Sequence, residues 1–333
     1  MGVPDNDIVV YHYSFSPYAR RILWYLALRG IPYAECKQPP VMPRPDLKAL
    51  GVNYRRIPVV AIGRDIYCDS RICLRKLEEL LPVGALGATT ADGKAIQKFL
   101  EIWAIEAGLF ARAAQLIPTS MPLLNDAKFT RDREQYTGRS WRKEDIAANR
   151  PEAVAAIKNA FKFLETTLLA DGRSWVLKTD KPTLADIEAV WIFDWLNGLK
   201  GALPRELISE KSFPKVFAWV ARFNEALKAA KAKAPKPVTL DGAAATQRVL
   251  GASFAEKDLS VDAADPLGLQ RGTEVEIFPT DSGFSHHDKG RLVGLSDDEV
   301  VLSTRAGETE VHLHFPRTGF KIKAVGGGAT SKL

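Results

Sequence analysis

The first 82 residues alternate between short apolar runs and longer runs with helical spacing. An apolar run at residues 8–10 precedes a stretch in which Ile22, Leu23 and Leu26 recur at helical intervals. Further strands are predicted at residues 59–62 and 66–68, and a helix is predicted at residues 70–81. This alternation favours a small α/β sheet covered by helices, with ligands gathering at the strand ends.

Helical periodicity replaces the strand pattern from residue 92 to about residue 234. Apolar residues such as Ile157, Phe161 and Leu164 recur at three- and four-residue intervals, which predicts an all-helical domain. Pro235 and Pro237 end the last helix. Residues 234–267 are therefore expected to form a linker, with one short helix near residues 243–250.

The composition changes again after residue 267. Short β-type runs, separated by Asp, Gly and Pro turns, fall at residues 273–278, 290–295, 299–303, 309–314 and 319–325. Strands so closely spaced predict a small closed barrel of the SH3-like kind over residues 268–325. Residues 326–333 are expected to form a flexible tail.

Charge and cysteine content narrow the possible classes. The 333 residues carry 46 Lys and Arg against 40 Asp and Glu, but the basic excess is spread out, and residues 268–325 hold seven basic against nine acidic residues. Nucleic acid is therefore not expected as a partner. Three cysteines favour a reducing intracellular compartment. A polar start and the lack of a long apolar run argue against a signal peptide or a membrane anchor.

The last three residues, Ser331, Lys332 and Leu333, form the tripeptide that the peroxisomal import receptor reads. A glycine-rich stretch, residues 326–330, precedes the tripeptide and would leave it accessible. The sequence therefore predicts peroxisomal localisation, with the import receptor as a partner.

Ser16 lies where the first strand gives way to the first helix. Such a turn directs free backbone N–H groups and the positive end of the helix dipole at whatever binds there. A hydroxyl at this place can stabilise an anion, although a serine at a helix start most often serves only as an N-cap.

Three further motifs accompany Ser16. Pro58 precedes a strand, and a cis peptide there would turn the backbone of Ile57 outward as an edge for a peptide-like ligand. Asp69 and Ser70 open a helix, where they would bind an ammonium and a carboxylate respectively. Residues 183–186 read as a structural capping box.

Together these motifs resemble the glutathione S-transferase superfamily, in order and in spacing, over roughly residues 7–233. The Ser16 motif is similar to those of the tau, omega-like and zeta groups. The resemblance implies a thioredoxin-like glutathione-binding domain at residues 1–85 and an all-α transferase domain at residues 90–233. It also implies that glutathione is the co-substrate and that the active form is a homodimer.

The resemblance makes Ser16 the catalytic residue, which hydrogen-bonds the glutathione sulfur. A hydrogen bond to a charged group contributes about 1.5 to 3 kcal/mol, which would lower the thiol pKa by roughly one to two units from about 8.5. Ser14, Tyr11 and Tyr13 remain alternative sulfur contacts. A serine rather than a cysteine at position 16 excludes mixed-disulfide chemistry there.

The same resemblance assigns the remaining site residues. Glutathione would be held by Arg56, Ile57, Pro58, Asp69 and Ser70. Arg71 departs from the apolar residue usual at its position. The acceptor substrate would lie between the domains, against Phe15, Trp103, Phe110 and Arg112.

Two hypotheses about function follow. The first is an enzyme that activates the glutathione thiol for conjugation to, or isomerisation of, a small electrophilic metabolite. The second is a transferase-like binding or scaffold protein that uses its C-terminal barrel for a partner or ligand. His312 and His314 would share a strand face, but the sequence offers no nearby cysteine and no clear acidic partner for them. No metal site is therefore expected.

Overall fold

A computed structural model describes residues 7–325, and its first part is a thioredoxin-like domain. Its elements are β1 (Ile8–His12), α1 (Pro17–Arg29), β2 (Ala34–Lys37), α2 (Pro45–Ala49), β3 (Val59–Ile62), β4 (Asp65–Cys68) and α3 (Ser70–Leu80). Strand β1 pairs in parallel with β2 and antiparallel with β3, which pairs with β4. The α/β sheet predicted from the sequence is confirmed.

A helical domain follows. It contains α4 (Ala91–Glu101), a π-helical turn (Ile102–Glu106), α5 (Leu109–Ala114), a 3-10 turn (Pro122–Asn125), α6 (Ala127–Thr137), α7 (Lys143–Thr166), α8 (Leu184–Gly198) and α9 (Pro214–Lys233). Helix α8 is central and is buried on most sides. It begins with the predicted capping box, in which the Thr183 N–H donates to Asp186 at 2.9 Å.

The C-terminal region consists of β5 (Val238–Leu240), α10 (Gly242–Gly251), β6 (Glu274–Pro279), β7 (Asp288–Leu295), β8 (Glu299–Ala306), β9 (Thr309–Pro316) and β10 (Phe320–Ala324). All five strands predicted after residue 267 are present, each within a few residues of its expected position. No helix within residues 7–325 combines the length and apolar character that a membrane crossing requires. The tripeptide Ser331–Leu333 lies outside the described residues.

The C-terminal strands β6–β10 form the strand-rich region that the sequence predicts, but this region is not independent of the thioredoxin-like domain. Strand β9 pairs in parallel with β4, so that Ile66 lies opposite Leu313. All ten strands therefore form one sheet, in the order β10-β6-β7-β8-β9-β4-β3-β1-β2-β5. The backbone N–H and C=O groups of an unpaired edge strand are free to pair with another strand. Strand β4 is the edge strand of the thioredoxin-like sheet, and the sequence alone did not show that β9 pairs with it.

The expected linker also required correction. Residues 234–267 contain the predicted short helix, α10, but they also add β5 to the sheet, in parallel with β2. Ala245 and Val249 of α10 are buried in the core that includes the C-terminal strands. The segment is therefore an integral part of the folded chain rather than a tether.

Alternate residues of β1 enter two different cores. Ile8 and Val10 pack into a core shared with the helical domain, whereas Val9 and Tyr11 pack into a core shared with the C-terminal strands. This alternation is what a strand covered on both faces requires. The C-terminal region thus contributes apolar residues to the core on one face of the thioredoxin-like sheet.

Asp288 joins the C-terminal region to the loop before β3. Its Oδ1 accepts hydrogen bonds from the N–H groups of Asn53, at 2.6 Å, and Tyr54, at 3.3 Å. Burial raises the pKa of Asp288 to about 7 despite these two bonds. The folded state therefore holds a proton on Asp288 at a pH where the unfolded chain has released it.

We expect Asp288→Asn to stabilise the protein relative to wild type as the pH rises. A carboxyl whose folded-state pKa is raised loses stability between its unfolded pKa, near 4, and its folded pKa, near 7. The asparagine keeps the acceptor oxygen but does not titrate. Urea unfolding from pH 4 to pH 8 should show the variant-minus-wild-type difference in unfolding free energy rising with pH. A difference that is independent of pH would contradict this account.

Candidate functional site

Ser16 is the N-cap residue of α1. Its Oγ accepts a hydrogen bond from the N–H of Ala19 at 3.3 Å, and Pro17 occupies the first helical position. Because the oxygen is the acceptor in this bond, the hydroxyl hydrogen is left to donate to a bound anion. Ser16 is only 2% exposed, so such an anion would sit in a largely desolvated place.

The alternative sulfur contacts occupy different surroundings. Ser14 is exposed, and Tyr13 packs against Phe15 with 4.8 Å between the ring centroids. Tyr11 packs into the core shared with the C-terminal strands, and burial raises the pKa of its hydroxyl well above the ordinary value. Of these four residues, Ser16 is the one that caps the helix.

The peptide bond between Ile57 and Pro58 is cis, as the sequence led us to expect. It lies immediately before β3, and Ile57 is 7% exposed. The backbone of Ile57 thus lies just before the first residue of β3. Because β3 runs antiparallel to β1, this is the end of the sheet at which β1 finishes and α1 begins.

Asp69 and Ser70 form the start of α3. Asp69 is the N-cap, and its carboxylate accepts a hydrogen bond from the N–H of Arg71 at 3.0 Å. Its φ of 110° is one that L residues rarely adopt, and such strain concentrates at functional sites. Ser70, the first helical residue, is 4% exposed.

Two arginines already bind the carboxylate of Asp69. The Nε and Nη2 atoms of Arg71 lie 3.0 and 3.1 Å from its two oxygens, and Nη1 of Arg56 lies 3.6 Å away. Burial opposes ionisation of Asp69, but the guanidinium of Arg71 outweighs burial and lowers the pKa to about 2. The unusual residue noted in the sequence, Arg71, is therefore paired with the carboxylate that was expected to bind a ligand ammonium.

Arg21 was missed as a site residue by the sequence reasoning. It is fully buried, it donates a hydrogen bond to Ser70 Oγ at 2.5 Å, and it forms an ion pair with Glu188 of α8. Because Ser70 Oγ accepts from Arg21, its own hydrogen is free to donate to a carboxylate. Arg21 thus orients Ser70 and links α1, α3 and the helical domain.

The loop before Pro58 is held down by other parts of the chain. Arg55 forms an ion pair with Asp132 of α6 at 2.9 Å. Arg56 forms an ion pair with Asp281, and its Nη2 also donates to the carbonyl oxygen of Ser282 at 2.7 Å. We call residues 280–287, between β6 and β7, the covering segment.

The covering segment is itself fixed to α6. The N–H of Gly283 donates to the carbonyl oxygen of Tyr136 at 2.7 Å, and the guanidinium of Arg55 lies 5.3 Å from the Tyr136 ring centroid. A β-carbon on Gly283 would approach Arg55 Cγ to 3.0 Å. The contact is therefore close, and the segment lies directly over the loop that carries Arg56.

The four residues expected to line the acceptor site are not brought together by the contacts of the described chain. Phe110 packs against Tyr18 of α1 at 4.8 Å, close to the start of the helix. Trp103 packs against Phe163 and Phe193 inside the helical domain. Phe15 is 46% exposed beside Tyr13, and Arg112 is exposed. Phe110 is therefore the best supported of the four as a neighbour of Ser16.

Two surface cavities lie elsewhere on the described chain. One of about 560 Å³ is formed by residues of the C-terminal strands, and includes Arg291, Ser303 and Glu310. A smaller one lies beside Arg71 and Glu106. Neither of these two cavities is lined by Ser16, Ile57 or Ser70.

Two family models match the chain. Residues 10–84 match the glutathione S-transferase N-terminal domain, and residues 112–232 match a domain of unknown function (DUF7962). No curated protein matches the chain.

Solved structures share the fold at low sequence identity. A GST-like protein from Pseudomonas syringae is 24% identical, with 96% of this chain and 99% of that chain covered and a TM-score of 0.68. The beta-etherase LigF from Sphingobium sp. strain SYK-6 is 15% identical, with 68% and 100% covered and a TM-score of 0.52.

A third structure, a glutathione transferase family member from Pseudomonas fluorescens with two glutathione bound, is 17% identical, with 68% and 93% covered and a TM-score of 0.51. The P. syringae protein matches over nearly the whole length, so that its fold includes the C-terminal region. Residues 10–84 therefore belong to the glutathione S-transferase N-terminal domain family, and the described chain shares its fold with glutathione S-transferase structures.

Proposed function

We propose that this protein binds glutathione and activates its thiol, either for conjugation to a small electrophilic metabolite or for an isomerisation. The observation that carries the proposal is the placement of two helix N-termini around the cis Ile57–Pro58 peptide. Helix α1 presents Ser16, and α3 presents Asp69 and Ser70. These ends supply hydroxyls, backbone N–H groups and one carboxylate, which are the groups that a peptide thiol with charged ends requires.

Each part of glutathione has a matching group in this proposal. The γ-glutamyl carboxylate binds the Ser70 hydroxyl, which Arg21 orients, and the ammonium binds Asp69. The backbone of Ile57 pairs with the cysteinyl residue, and Arg56 binds the glycine carboxylate. Ser16 donates its hydroxyl hydrogen to the sulfur, which favours the thiolate. The thiolate then attacks the electrophilic carbon of the acceptor and forms a C–S bond, while the electron pair of the bond that breaks at that carbon either departs with the leaving group or moves to the far end of an attacked double bond. In an isomerisation the C–S bond breaks again and the thiolate is released.

Binding requires the covering segment to move from Arg56. Asp281 is 64% exposed in its side chain, and ion pairs with such an exposed partner contribute about 0 to 1 kcal/mol. The glycine carboxylate of glutathione is chemically equivalent to the carboxylate that it would replace. The ion pair between Arg56 and Asp281 is therefore weak enough for the carboxylate of the ligand to replace Asp281.

A second candidate, a binding protein without turnover, is favoured by one observation. Both Asp69 and Arg56 already have partners within the chain, namely Arg71 and Asp281. Titration calorimetry with glutathione separates the two candidates. Absence of binding at millimolar glutathione would favour the scaffold.

Localisation and assembly are part of the same proposal. The terminal Ser331-Lys332-Leu333 sequence supports import into peroxisomes through the receptor that reads this tripeptide. The superfamily resemblance supports a homodimer. We propose no nucleic acid or membrane partner.

Ser16→Ala is expected to lower turnover at least about tenfold while glutathione still binds, because the lost hydrogen bond is worth about 1.5 to 3 kcal/mol to a charged acceptor. Steady-state kinetics with a model electrophile and calorimetry provide the two measurements. Ser16→Thr, which keeps a hydroxyl and an N-cap, should retain most of the activity. Ser14→Ala is the matched control at an exposed serine. Full activity in Ser16→Ala would refute the role of Ser16.

Asp281→Ala is expected to tighten glutathione binding by up to about fivefold, since the ligand no longer competes with an exposed ion pair. Glu308→Ala removes an exposed acidic residue of the same region, distant in sequence from the covering segment, and should leave the affinity unchanged. Calorimetry on both variants makes the comparison. Equal or weaker binding in Asp281→Ala would show that the covering segment does not restrict the site.

Deletion of the last three residues is expected to abolish peroxisomal import of a protein tagged at its N-terminus. Fluorescence microscopy beside a peroxisomal marker measures the distribution. A chain with three residues removed from the preceding glycine-rich stretch, but with its tripeptide intact, is the control. Continued import of the truncated chain would contradict the assignment of the tripeptide as the signal.

A further inference from the structure

A cluster of nitrogen and oxygen donors lies where β4 meets β9. The parallel pairing places Asp65 opposite His312, and His314 lies two residues further along β9. Asp65 Oδ1 is 3.2 Å from His312 Nδ1 and 2.8 Å from His314 Nε2. Asp65 and His314 are fully buried, and the side chain of His312 is 13% exposed. Three potential ligand atoms therefore converge, all within 4.8 Å of one another.

Neighbouring groups hold these side chains in position. The other Asp65 oxygen accepts hydrogen bonds from the N–H groups of Ala255 and Glu256, at 2.6 and 3.1 Å. The Nδ1 atom of His314 faces Glu299 Oε1 at 2.7 Å. A carboxylate on the second ring nitrogen is the arrangement that orients metal-binding histidines in proteins.

The distances from Asp65 Oδ1 to the two histidine nitrogens suit a small divalent ion. Zinc–ligand distances of about 2.0 to 2.1 Å place two ligands of a tetrahedral ion about 3.3 Å apart. The observed 2.8 and 3.2 Å are close to this value, so that a small outward movement of the Asp65 carboxylate would admit the ion.

The charge around the cluster favours a cation. Lys76 pairs with Glu256 and Glu299, and Arg75 pairs with Glu299, whereas within the described residues the ion pairs of Asp65 are those with His312 and His314. Lys76 Nζ lies 2.6 Å from Glu256 and 2.7 Å from Glu299. A second group of potential ligand atoms belongs to Glu256, Glu299 and His314. Because the Lys76 ammonium already binds both of these glutamates, only the group that contains Asp65 is considered as a metal site.

We propose that Asp65, His312 and His314 bind a divalent transition metal ion, with zinc as the best fit to two imidazoles and one carboxylate. The fourth position is left to a water molecule. Because Asp65 belongs to the thioredoxin-like domain and both histidines belong to the C-terminal region, the ion joins the two. The sequence did not reveal the site because the acidic ligand is 247 residues from His312.

The test uses the full, untagged chain, stripped with a chelator and then titrated with zinc or cobalt salts in the absence of glutathione. We expect one ion per chain, a visible d–d spectrum of four-coordinate cobalt, and a melting temperature that rises with zinc concentration. Uptake and the rise in melting temperature should be lost in Asp65→Asn and in His312→Gln. Absence of uptake at micromolar zinc would overturn the proposal and leave a protonated histidine network.

His287 provides a matched control. Its ring stacks on Phe278 at 4.0 Å and faces Glu276 at 3.2 Å, as the His312 ring stacks on Phe254 at 4.0 Å and faces Asp65. His287→Gln should keep the stoichiometry and the cobalt spectrum. If Asp65→Asn fails to fold, the partly exposed His312→Gln variant still decides the question. Unchanged zinc binding in His312→Gln would contradict the ligand assignment.

Discussion

The pairing of β4 with β9 is the contact on which the rest of the structure depends. It joins an edge strand of the thioredoxin-like sheet to the C-terminal strands, and β5 extends the opposite edge. Once the strands are merged, Val9 and Tyr11 find apolar neighbours on the face away from the helical domain. The C-terminal region is therefore held in a fixed position, directly over the loop that precedes the cis-proline.

This position changes what the site can do. The groups that would bind a peptide thiol are kept, but each charged group among them has a partner within the chain. The partners differ in strength. The ion pair between Arg21 and Glu188 is buried on both sides, whereas the one between Arg56 and Asp281 has one exposed partner. In the function that we propose, a ligand would therefore replace Asp281 on Arg56 and leave in place the buried groups that orient Ser70.

Features that depend on neighbouring residues were predictable from the sequence. The N-cap at Ser16, the cis bond at Pro58, the capping box at Thr183 and the five C-terminal strands each follow from residues a few positions apart. Contacts between distant residues were not predictable. The pairing of Asp65 with His312, the ion pair between Arg56 and Asp281, and the packing of Trp103 within its own domain depend on how separate elements meet.

The two strand pairings that the sequence did not reveal, β5 with β2 and β9 with β4, were hidden for the same physical reason. Strand β5 has three residues, of which Val238 and Thr239 are exposed, so that no alternation of apolar and polar positions indicates its pairing. The apolar pattern of β9 likewise predicts which of its residues are buried, but it does not predict which strand pairs with it. A strand that is covered on both faces can complete a barrel or extend another sheet, and the sequence pattern is the same in both cases.

A crystal structure of the full chain grown with saturating glutathione tests the central claim most directly, because the claim concerns which atoms contact the ligand. We expect the sulfur within hydrogen-bonding distance of Ser16 Oγ, the γ-glutamyl group on Asp69 and Ser70, and the covering segment displaced from Arg56. Glutathione bound elsewhere, or Arg56 still paired with Asp281 and no ligand over Ile57, would contradict it.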